Sequence, residues 1–233
     1  MYQQLILPII LVILLSYMIG SISGGIIIGK LKNIDIRKEG SNNAGATNAL
    51  RTMGTAFAVI VLIIDVYKGY FATHYIPYLV FEFYPQEYLQ QSNDLYKNLI
   101  NELKVFAAIS SIMGHVYPLY FKFKGGKGVG TALGTLFAFS EFYYSILVGF
   151  IFWTSSLILT GFVGLSSIIS GISVSLIYLT DNGFMLNTLA FYSIIIALFF
   201  IFTHRENILR MISGKENQFK KVMLINLFKK NNE

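Results

Sequence analysis

The chain contains no cysteine among its 233 residues. Without cysteine there is no disulfide, no thiolate nucleophile and no Cys-x-x-Cys metal site, and the redox compartment cannot be inferred. The three histidines, His74, His115 and His204, lie far apart in the sequence, and no His-Glu-x-x-His spacing occurs. The sequence therefore predicts neither a metal centre nor another bound cofactor.

Charged residues are also scarce. They make up 13% of the chain, whereas a soluble domain carries about 25%. Hydrophobic residues make up 55%, and the mean hydropathy is +0.60, which indicates an integral membrane protein. The net charge of +6 would suggest nucleic-acid binding in a soluble protein. In a membrane protein the placement of positive loops explains it, so no nucleic-acid partner is expected.

The N-terminal region lacks the features of a cleaved signal peptide. It is apolar from Leu5 onward, and no Lys or Arg precedes Lys30. A signal peptide needs a basic segment before its apolar core and a small-residue cleavage site after it. The sequence therefore predicts a retained first membrane span.

Long apolar runs predict an all-α membrane protein with about seven transmembrane helices, because a span needs about 20 apolar residues. The first three spans are expected at about 5–28, 55–80 and 105–121. The apolar region after Gly128 is interrupted at Ser140-Glu141, Thr160-Gly161 and Asp181-Asn182-Gly183, which predicts four more segments, the first of them short. Five spans is the alternative, if two segments are re-entrant or fused.

Positive charge predicts the topology. Fifteen of the 18 Lys and Arg residues lie at 30–51, at 122–127 and after 204. By the positive-inside rule, the N-terminus is outside and the tail at about 204–233 is cytoplasmic. The polar stretch at about 81–104 is then an extracytoplasmic loop, in which a short helix is allowed. A single transmembrane domain over 1–233 is expected, with its three basic segments at one membrane face.

The first of these segments, which we call the first loop, reads DIRKEGSNNAGATNALRTMG from Asp35 to Gly54. Glycines allow the backbone to approach a ligand, and short polar side chains supply hydrogen bonds. An arginine can bind a phosphate through two parallel donors. The candidate ligand-binding residues are Ser41, Asn43, Thr47, Asn48 and Arg51. The alternative is a turn rich in helix-capping residues, with Thr47 or Asn48 as the cap.

The second segment, which we call the glycine loop, reads KFKGGKGVG from Lys122 to Gly130. Backbone donors, lysine charge and the start of the next helix together predict an anion-binding cradle. It is not a nucleotide P-loop, because Phe121 stands where that motif has its first glycine and Gly128 follows Lys127. The candidate residues are Lys124, Gly125, Gly126, Lys127 and Gly128. A basic cytoplasmic turn is the alternative.

The third segment reads THRENILR from Thr203. His204 and Asn207 are three residues apart and share a face if the helix continues. The alternative is capping and snorkelling at the membrane interface.

Two charged residues also lie within the second span. Asp65 and Lys68 have i, i+3 spacing and predict a mutually neutralising structural pair. A functional site is the alternative, because ionised groups at membrane depth are functional candidates by default. His115 is expected to have a structural or supporting role. The spans suit a lipid chain and the basic face suits an anion, so an enzyme or carrier for an amphiphilic phosphate is expected.

Five blocks of the sequence together resemble the bacterial acyl-phosphate:glycerol-3-phosphate acyltransferase family. They are GSISGGIIIGK at 20–30, GSNNAGATNALR at 40–51, DVYKG at 65–69, GHVYPLYFKFKGGKGVGTALG at 114–134 and HREN at 204–207. The chain departs from the family pattern at Ser23, where proline is usual, and at Asn42, where glycine is usual. Asn42 tolerates a left-handed backbone, so the turn is expected to survive.

The resemblance implies a seven-span enzyme of the bacterial cytoplasmic membrane. Its implied reaction moves a fatty acyl group from acyl phosphate to the 1-hydroxyl of glycerol 3-phosphate, giving lysophosphatidic acid and inorganic phosphate in phospholipid biosynthesis. It also implies a functional link to the acyltransferase that makes acyl phosphate. The positions that match the family's substrate-site residues are Ser41, Arg51, Lys127, His204 and Asn207. Asn43, Thr47 and Asn48 lie in the same motif, and KGGKG matches its phosphate-binding loop.

Glycerolipid acyltransferases that use thioester donors carry His-x-x-x-x-Asp. This chain lacks that motif, because the residues five after its three histidines are Leu79, Tyr120 and Leu209. The expected mechanism is therefore one of positioning and charge stabilisation. Lys127 and the backbone at 125–128 would hold one phosphate. Arg51 and Ser41, with His204 and Asn207, would hold the other substrate. The donor's own phosphate is the expected base, with His204 as the rival. A transporter of a phosphate ester and a lipid-binding anchor are the alternative functions.

Overall fold

The computed structural model describes residues 2–82 and 93–224, and within these ranges the regular structure is entirely helical. The α-helices are α1 (Tyr2–Gly20), α2 (Gly24–Leu31), α3 (Ala46–Thr52), α4 (Thr55–Glu82), α5 (Asn93–Val116), α6 (Val129–Phe137), α7 (Tyr143–Thr160), α8 (Val163–Asp181), α9 (Thr188–Thr203) and α10 (Arg205–Ile212). The chain divides into two compact units, Met1–Phe139 and Ser140–Glu233. The expectation that 1–233 forms a single domain stays a prediction.

Small residues hold the helices of the first unit close together. A Cβ at Gly20 on α1 would collide with the backbone of Ser111 on α5. The Tyr17 hydroxyl on α1 donates to the Tyr117 carbonyl just past the end of α5, at 2.6 Å. Backbones can approach this closely where side chains are absent, and this kind of packing stabilises helix pairs in membranes. The pairing of α1 with α5 sets the position from which the glycine loop departs.

Helix α6 packs against α4 in the same way. A Cβ at Gly134 would collide with the Val66 carbonyl oxygen and lie 2.9 Å from the Tyr70 backbone nitrogen. The two helices therefore touch backbone to backbone, and this contact fixes the helix that follows the glycine loop. At nine residues, α6 is about 14 Å long, which is too short to cross a bilayer.

The second unit is built from α7 to α10. Hydroxyl contacts join its helices, with Ser156 and Ser166 oxygens 3.3 Å apart and Ser175 and Ser193 oxygens 3.2 Å apart. Helices α9 and α10 meet at His204 with a bend of 51°. The serine-rich sequence of α8 thus supplies polar contacts between helices where apolar surface alone gives no specificity.

Within the described ranges, five helices are long and apolar enough to span a membrane, or six if the bent pair of α9 and α10 is one span. The seven predicted spans are not confirmed, because α6 is too short to count as one. Five spans match the alternative that the sequence allows. The orientation of the two termini stays a prediction.

The predicted interruptions are confirmed at three places. A 3-10 helix occupies Ser140–Phe142, Gly161 ends α7 with φ +70°, and Gly183 has φ +59° after α8. One interruption within the first apolar run was missed, because α1 ends at Gly20 and α2 begins at Gly24.

The predicted loop over 81–104, in which the sequence allows a short helix, is more helical than expected in the part that the structure describes; residues 83–92 lie outside that part. Helix α4 continues to Glu82, and α5 already begins at Asn93. Ile100 and Leu103 on α5 are buried in a cluster with Val12 and Phe81. The same stretch also contains charged residues such as the exposed Glu102. Its mixed composition therefore did not predict a helix.

Candidate active site

The first loop is folded around one buried amide, that of Asn48 on α3. Its Nδ2 donates to the carbonyls of Ile36, Glu39 and Asn43 at 2.8–2.9 Å. Its Oδ1 accepts from the Ser41 backbone N–H at 2.8 Å. With 1% of its surface exposed, the Asn48 side chain shapes the loop from within. The predicted substrate contact of Asn48 stays a prediction, and the geometry indicates a positioning role.

The turn before α3 uses left-handed backbone at two positions, one on each side of the candidate residue Ser41. Gly40 has φ +60°, and Asn42 has φ +56°. Asparagine visits this region more readily than most residues, so the turn accommodates the departure from the family pattern at Asn42. The residue at the N-cap of α3 is Gly45, and its N–H donates to the Asn43 side chain at 2.9 Å. The proposal of Thr47 or Asn48 as the cap is therefore wrong.

The remaining first-loop candidates are half-buried. Ser41 lies in the turn, and Thr47 and Arg51 lie on α3. Because Thr47 and Arg51 are four residues apart on one helix, they share a face. Partial exposure is what a group that contacts a ligand requires.

We expect Asn48→Asp to destabilise the protein and to remove most of its activity. The substitution keeps the shape but turns a donor to three carbonyls into an acceptor. Each buried polar group left unsatisfied costs about 1–3 kcal/mol. The change is measured as a lower unfolding temperature together with lower turnover.

Asn42→Asp is the matched control, because it makes the same chemical change on an exposed side chain of the same turn. Equal unfolding temperatures for the two variants would contradict the role given to the Asn48 amide.

The glycine loop is tied to the end of α5 by its own backbone. The Gly125 N–H donates to the Val116 carbonyl at 3.1 Å, and the Gly126 N–H donates to the His115 carbonyl at 3.2 Å. The expectation that these two amides hold a phosphate is therefore corrected, since both donate to the protein itself. Glycine at position 126 allows the loop backbone to pack directly against the His115 ring, with which a Cβ at Gly126 would collide.

The donors that suit an anion lie further along the glycine loop. Gly128 has φ +85°, and α6 begins directly after it at Val129. The first backbone N–H groups of a helix have no acceptor within the helix and carry partial positive charge. The half-buried Lys127 immediately precedes this turn. Lys127 and the amides from Gly128 onward remain the predicted phosphate contacts, while Lys124 is exposed.

The first loop contacts Phe121, the residue directly before the glycine loop. Arg37 donates through Nη1 to the Phe121 carbonyl at 3.1 Å, and the Lys30 ammonium lies 5.4 Å from the centre of the Phe121 ring. The hydrogen bond from the Arg37 side chain lowers the pKa of Asp35, so this carboxylate stays ionised and holds the guanidinium at 2.9 Å. Two of the three basic segments are therefore adjacent, as expected.

In the second unit, His204 is held in one tautomer. Its Nδ1 lies 2.8 Å from the Phe200 carbonyl oxygen, which can only accept, so Nδ1 carries the proton. In the neutral ring, Nε2 is then an acceptor. The side chain is buried at the bend between α9 and α10.

Asn207, one turn along α10, is oriented by a carboxylate that follows in the tail. Its Nδ2 donates to Glu216 Oε1 at 2.7 Å, and Arg210 Nε donates to Glu216 Oε2 at 2.6 Å. The tail is anchored near the end of α7, where the Phe219 N–H donates to the Gly161 carbonyl at 2.9 Å. This fixes which end of the Asn207 amide is the donor to Glu216 and leaves its Oδ1 as an acceptor.

Comparison with known proteins agrees with this geometry. The family model described as glycerol-3-phosphate acyltransferase matches residues 10–214. The chain belongs to this family. It is therefore an acyltransferase, and its apolar helices are those of an integral membrane family.

Relatives and solved structures match along almost the whole chain. The glycerol-3-phosphate acyltransferase of Aquifex aeolicus is 37% identical over 89% of this chain and 97% of its own length. That of Bacillus subtilis is 37% identical over 90% and 97%. The crystal structure of PlsY in its glycerol 3-phosphate form has a TM-score of 0.75 at 35% identity, covering 91% of this chain and 95% of that one. Its lysophosphatidic acid form has a TM-score of 0.73 at 34% identity, with the same coverage.

Two residues that orient parts of the candidate site of this acyltransferase were not predicted from the sequence. Glu216 lies among basic residues of the tail, and Arg37 contributed only to the predicted topology. The spacing of Asp35 and Arg37 could have indicated a local ion pair. Nothing in the sequence indicates which residue Glu216 contacts.

The site residues fall into both units. Ser41 to Arg51 and the glycine loop lie in the first unit, and His204 and Asn207 lie in the second. The expectation that all three segments bind substrate together stays a prediction.

We expect Glu216→Gln to lower the turnover of the acyltransferase about tenfold or more. A carboxylate accepts from both Asn207 and Arg210, whereas an amide keeps a single acceptor oxygen. Hydrogen bonds to charged groups contribute about 1.5–3 kcal/mol, or roughly ten- to hundredfold when they orient a substrate contact. The measurement is turnover with purified protein.

Glu206→Gln is the control, because Glu206 is 72% exposed and lies 3.9 Å from Arg210. An exposed pair of this kind contributes less than about 1 kcal/mol. The role of Glu216 would be wrong if both variants retained full turnover.

Proposed function

We propose that this acyltransferase moves a fatty acyl group from acyl phosphate to the 1-hydroxyl of glycerol 3-phosphate in the bacterial cytoplasmic membrane. Family membership supports acylation of glycerol 3-phosphate in phospholipid synthesis. The acyl phosphate donor and the 1-hydroxyl acceptor are the proposal. In the proposed step, the hydroxyl oxygen attacks the carbonyl carbon and the bond from carbon to the phosphate oxygen breaks. The phosphate leaves with the electron pair, and the hydroxyl proton ends on phosphate. The products are lysophosphatidic acid and inorganic phosphate.

The observation that supports this proposal is the proximity of two basic segments in one unit. Arg37 of the first loop donates to the carbonyl of Phe121, the residue directly before the glycine loop. Both proposed substrates carry a phosphate, so two adjacent cationic segments suit this pair of reactants. A thioester donor has no phosphate bonded to its acyl carbon, so it would not place a second phosphate at the reacting group.

Each loop has a proposed task. Lys127 and the first backbone amides of α6 hold one phosphate through charge and the helix N-terminus. Arg51, with its planar pair of donors, and Ser41 hold the other substrate. Holding the hydroxyl against the carbonyl contributes about 7–11 kcal/mol, and each donor to developing negative charge adds about 3–4 kcal/mol.

His204 and Asn207 are proposed to contact substrate as well. The Asn207 Oδ1 suits a hydroxyl donor, because Glu216 already accepts from Nδ2. The His204 Nε2 suits a proton acceptor, because Nδ1 donates to Phe200. Acyl phosphate is already activated, so its own phosphate is the proposed base and His204 is the rival. Loss of the limb near neutrality from the pH–rate profile of His204→Gln would assign the role to the histidine.

The proposal includes a functional neighbour. Because acyl phosphate is the proposed donor, an acyltransferase that makes acyl phosphate must supply it, and the lysophosphatidic acid must pass to an enzyme that adds a second chain. Membrane lipid is the common medium for both intermediates.

The deciding experiment compares donors with the full chain purified in detergent. Phosphate release from acyl phosphate that requires glycerol 3-phosphate, with stoichiometric lysophosphatidic acid, is the expected result. Equal rates with acyl-CoA would overturn the choice of donor. Uptake of glycerol 3-phosphate into vesicles without any acylation would favour a transporter instead.

A further inference from the structure

A buried charge cluster in the first unit is not used by the proposed mechanism. It consists of Asp65 and Lys68, one turn apart on α4, and His115 near the end of α5. The three residues are 3%, 4% and 2% exposed. Ionisable groups at membrane depth are unfavourable and mark a function more often than a packing role.

The Lys68 ammonium makes two hydrogen bonds and one ion pair. Its Nζ lies 2.6 Å from the Ile22 carbonyl oxygen and 2.9 Å from His115 Nδ1, and it forms the ion pair with Asp65 Oδ1 at 2.9 Å. Because an ammonium group is only a donor, Nδ1 of His115 has to accept. The neutral ring then carries its proton on Nε2. The longer 3.4 Å separation of Nδ1 from Asp65 Oδ1 is the weaker competitor.

The Nε2 side of His115 faces the glycine loop. A Cβ at Gly126 would collide with Nε2 and would lie 3.0 Å from Cε1 and 3.1 Å from Cδ2. The His115 carbonyl also accepts the Gly126 N–H at 3.2 Å. One residue therefore supports Gly126 both through its ring and through its backbone, directly before Lys127.

We propose that Asp65, Lys68 and His115 are positioning residues for the acyl transfer, which set the location of Lys127 through the contact of the His115 ring with Gly126. The Lys68 ammonium fixes the His115 ring by donating a hydrogen bond to Nδ1. Asp65 balances the positive charge of Lys68. A pair needed only for neutrality would require neither His115 nor a contact with the glycine loop. This inference rests on the proposed function, in which Lys127 holds a phosphate.

The kinetic test uses the purified full chain and determines kcat and both KM values. His115→Asn keeps an acceptor near Nδ1 but removes the half of the ring that faces Gly126, whereas His115→Gln places an amide near Nε2. We expect His115→Asn to raise one KM by roughly tenfold or more, since small displacements of this kind change rates up to about 100-fold. The affected substrate should be the one whose KM rises in Lys127→Met. His115→Gln should recover part of that loss.

The paired substitution Asp65→Asn with Lys68→Met separates positioning from charge balance. It removes both charges, so a purely neutralising pair would leave both KM values unchanged. We expect the same KM to rise as in His115→Asn. Wild-type kinetics in the double variant would overturn the inference, as would a lower kcat at unchanged KM values in His115→Asn.

The histidine tautomer gives a readout on the unaltered protein, which stands even if a variant fails to fold. Nitrogen-15 NMR of histidine-labelled protein should show His115 with an unprotonated Nδ1 and His204 with a protonated Nδ1. A protonated Nδ1 on His115 would overturn the inference. If the wild type transfers no acyl group from acyl phosphate, the proposed function fails, while the tautomer result still decides the geometry at His115.

Discussion

Gly126→Ala is expected to lower kcat/KM for the substrate that Lys127 holds by about 100-fold or more. The new methyl group would collide with Nε2 of the His115 ring. That ring cannot withdraw, because Nδ1 is held by the Lys68 ammonium at 2.9 Å and the side chain is buried. The glycine loop has to move instead, and it carries Lys127 with it. A displacement of about 1 Å at a reacting group costs on the order of 100-fold in rate.

Gly183→Ala is the matched control for this experiment. It introduces the same methyl group after α8, where no atom lies within 4 Å of the new Cβ. Gly183 has φ +59°, so alanine costs about 1–2 kcal/mol of backbone strain there, but it contacts no residue of the candidate site. A kcat/KM within about fivefold of the wild type is expected. If Gly126→Ala were as active as this control, the loop would not depend on the His115 contact.

The second large effect is expected for Gly134→Ala, and it is a loss of stability. A Cβ there would collide with the Val66 carbonyl oxygen and lie 2.8 Å from the Val66 carbonyl carbon. These are backbone atoms of α4, which cannot rotate away as a side chain can. Overpacking of this kind costs about 1–3 kcal/mol and sometimes more. Because α6 must then separate from α4, activity should fall as well.

The measurement is the unfolding temperature in detergent, compared with that of Gly130→Ala on the same helix. A clearly lower temperature for Gly134→Ala alone is expected. Unchanged unfolding of both variants would show that α4 and α6 do not pack backbone to backbone.

Several features of the fold could be predicted because they depend on local chemistry. The interruptions at Ser140, Gly161 and Gly183 follow from residues that end helices or favour a positive φ. The pairing of Asp65 with Lys68 follows from i, i+3 spacing on a helix and is confirmed at 2.9 Å.

Features that depend on distant contacts could not be predicted. The glycines of KGGKG suggested exposed donors, but the amides of Gly125 and Gly126 donate to carbonyls at the end of α5, and only the fold brings those carbonyls near. The first turns of α5 lie in a polar stretch before Val105 and were not predicted. Their apolar residues are recognisable as core residues only once α1 and α4 are seen to pack against them.

The candidate site divides in the same way. Short polar residues and Arg51 predicted that the first loop binds a ligand, and this stays a prediction. Composition cannot tell a side chain that faces a ligand from one that folds the loop. Asn48 belongs to the second kind, because its amide bonds to four backbone groups. The role of Glu216 could not be predicted, because its partner Asn207 lies nine residues away and only the fold of the tail brings the two together.

The central claim is that the first loop and the glycine loop each hold the phosphate of a different reactant. It is tested most directly by kcat and both KM values of Arg51→Met and Lys127→Met, with Lys38→Met as an exposed control for the loss of one positive charge. The account predicts that each of the first two variants raises the KM of a different substrate, and that Lys38→Met raises neither. If Arg51→Met and Lys127→Met weakened the same substrate, or neither changed a KM, the account would be contradicted.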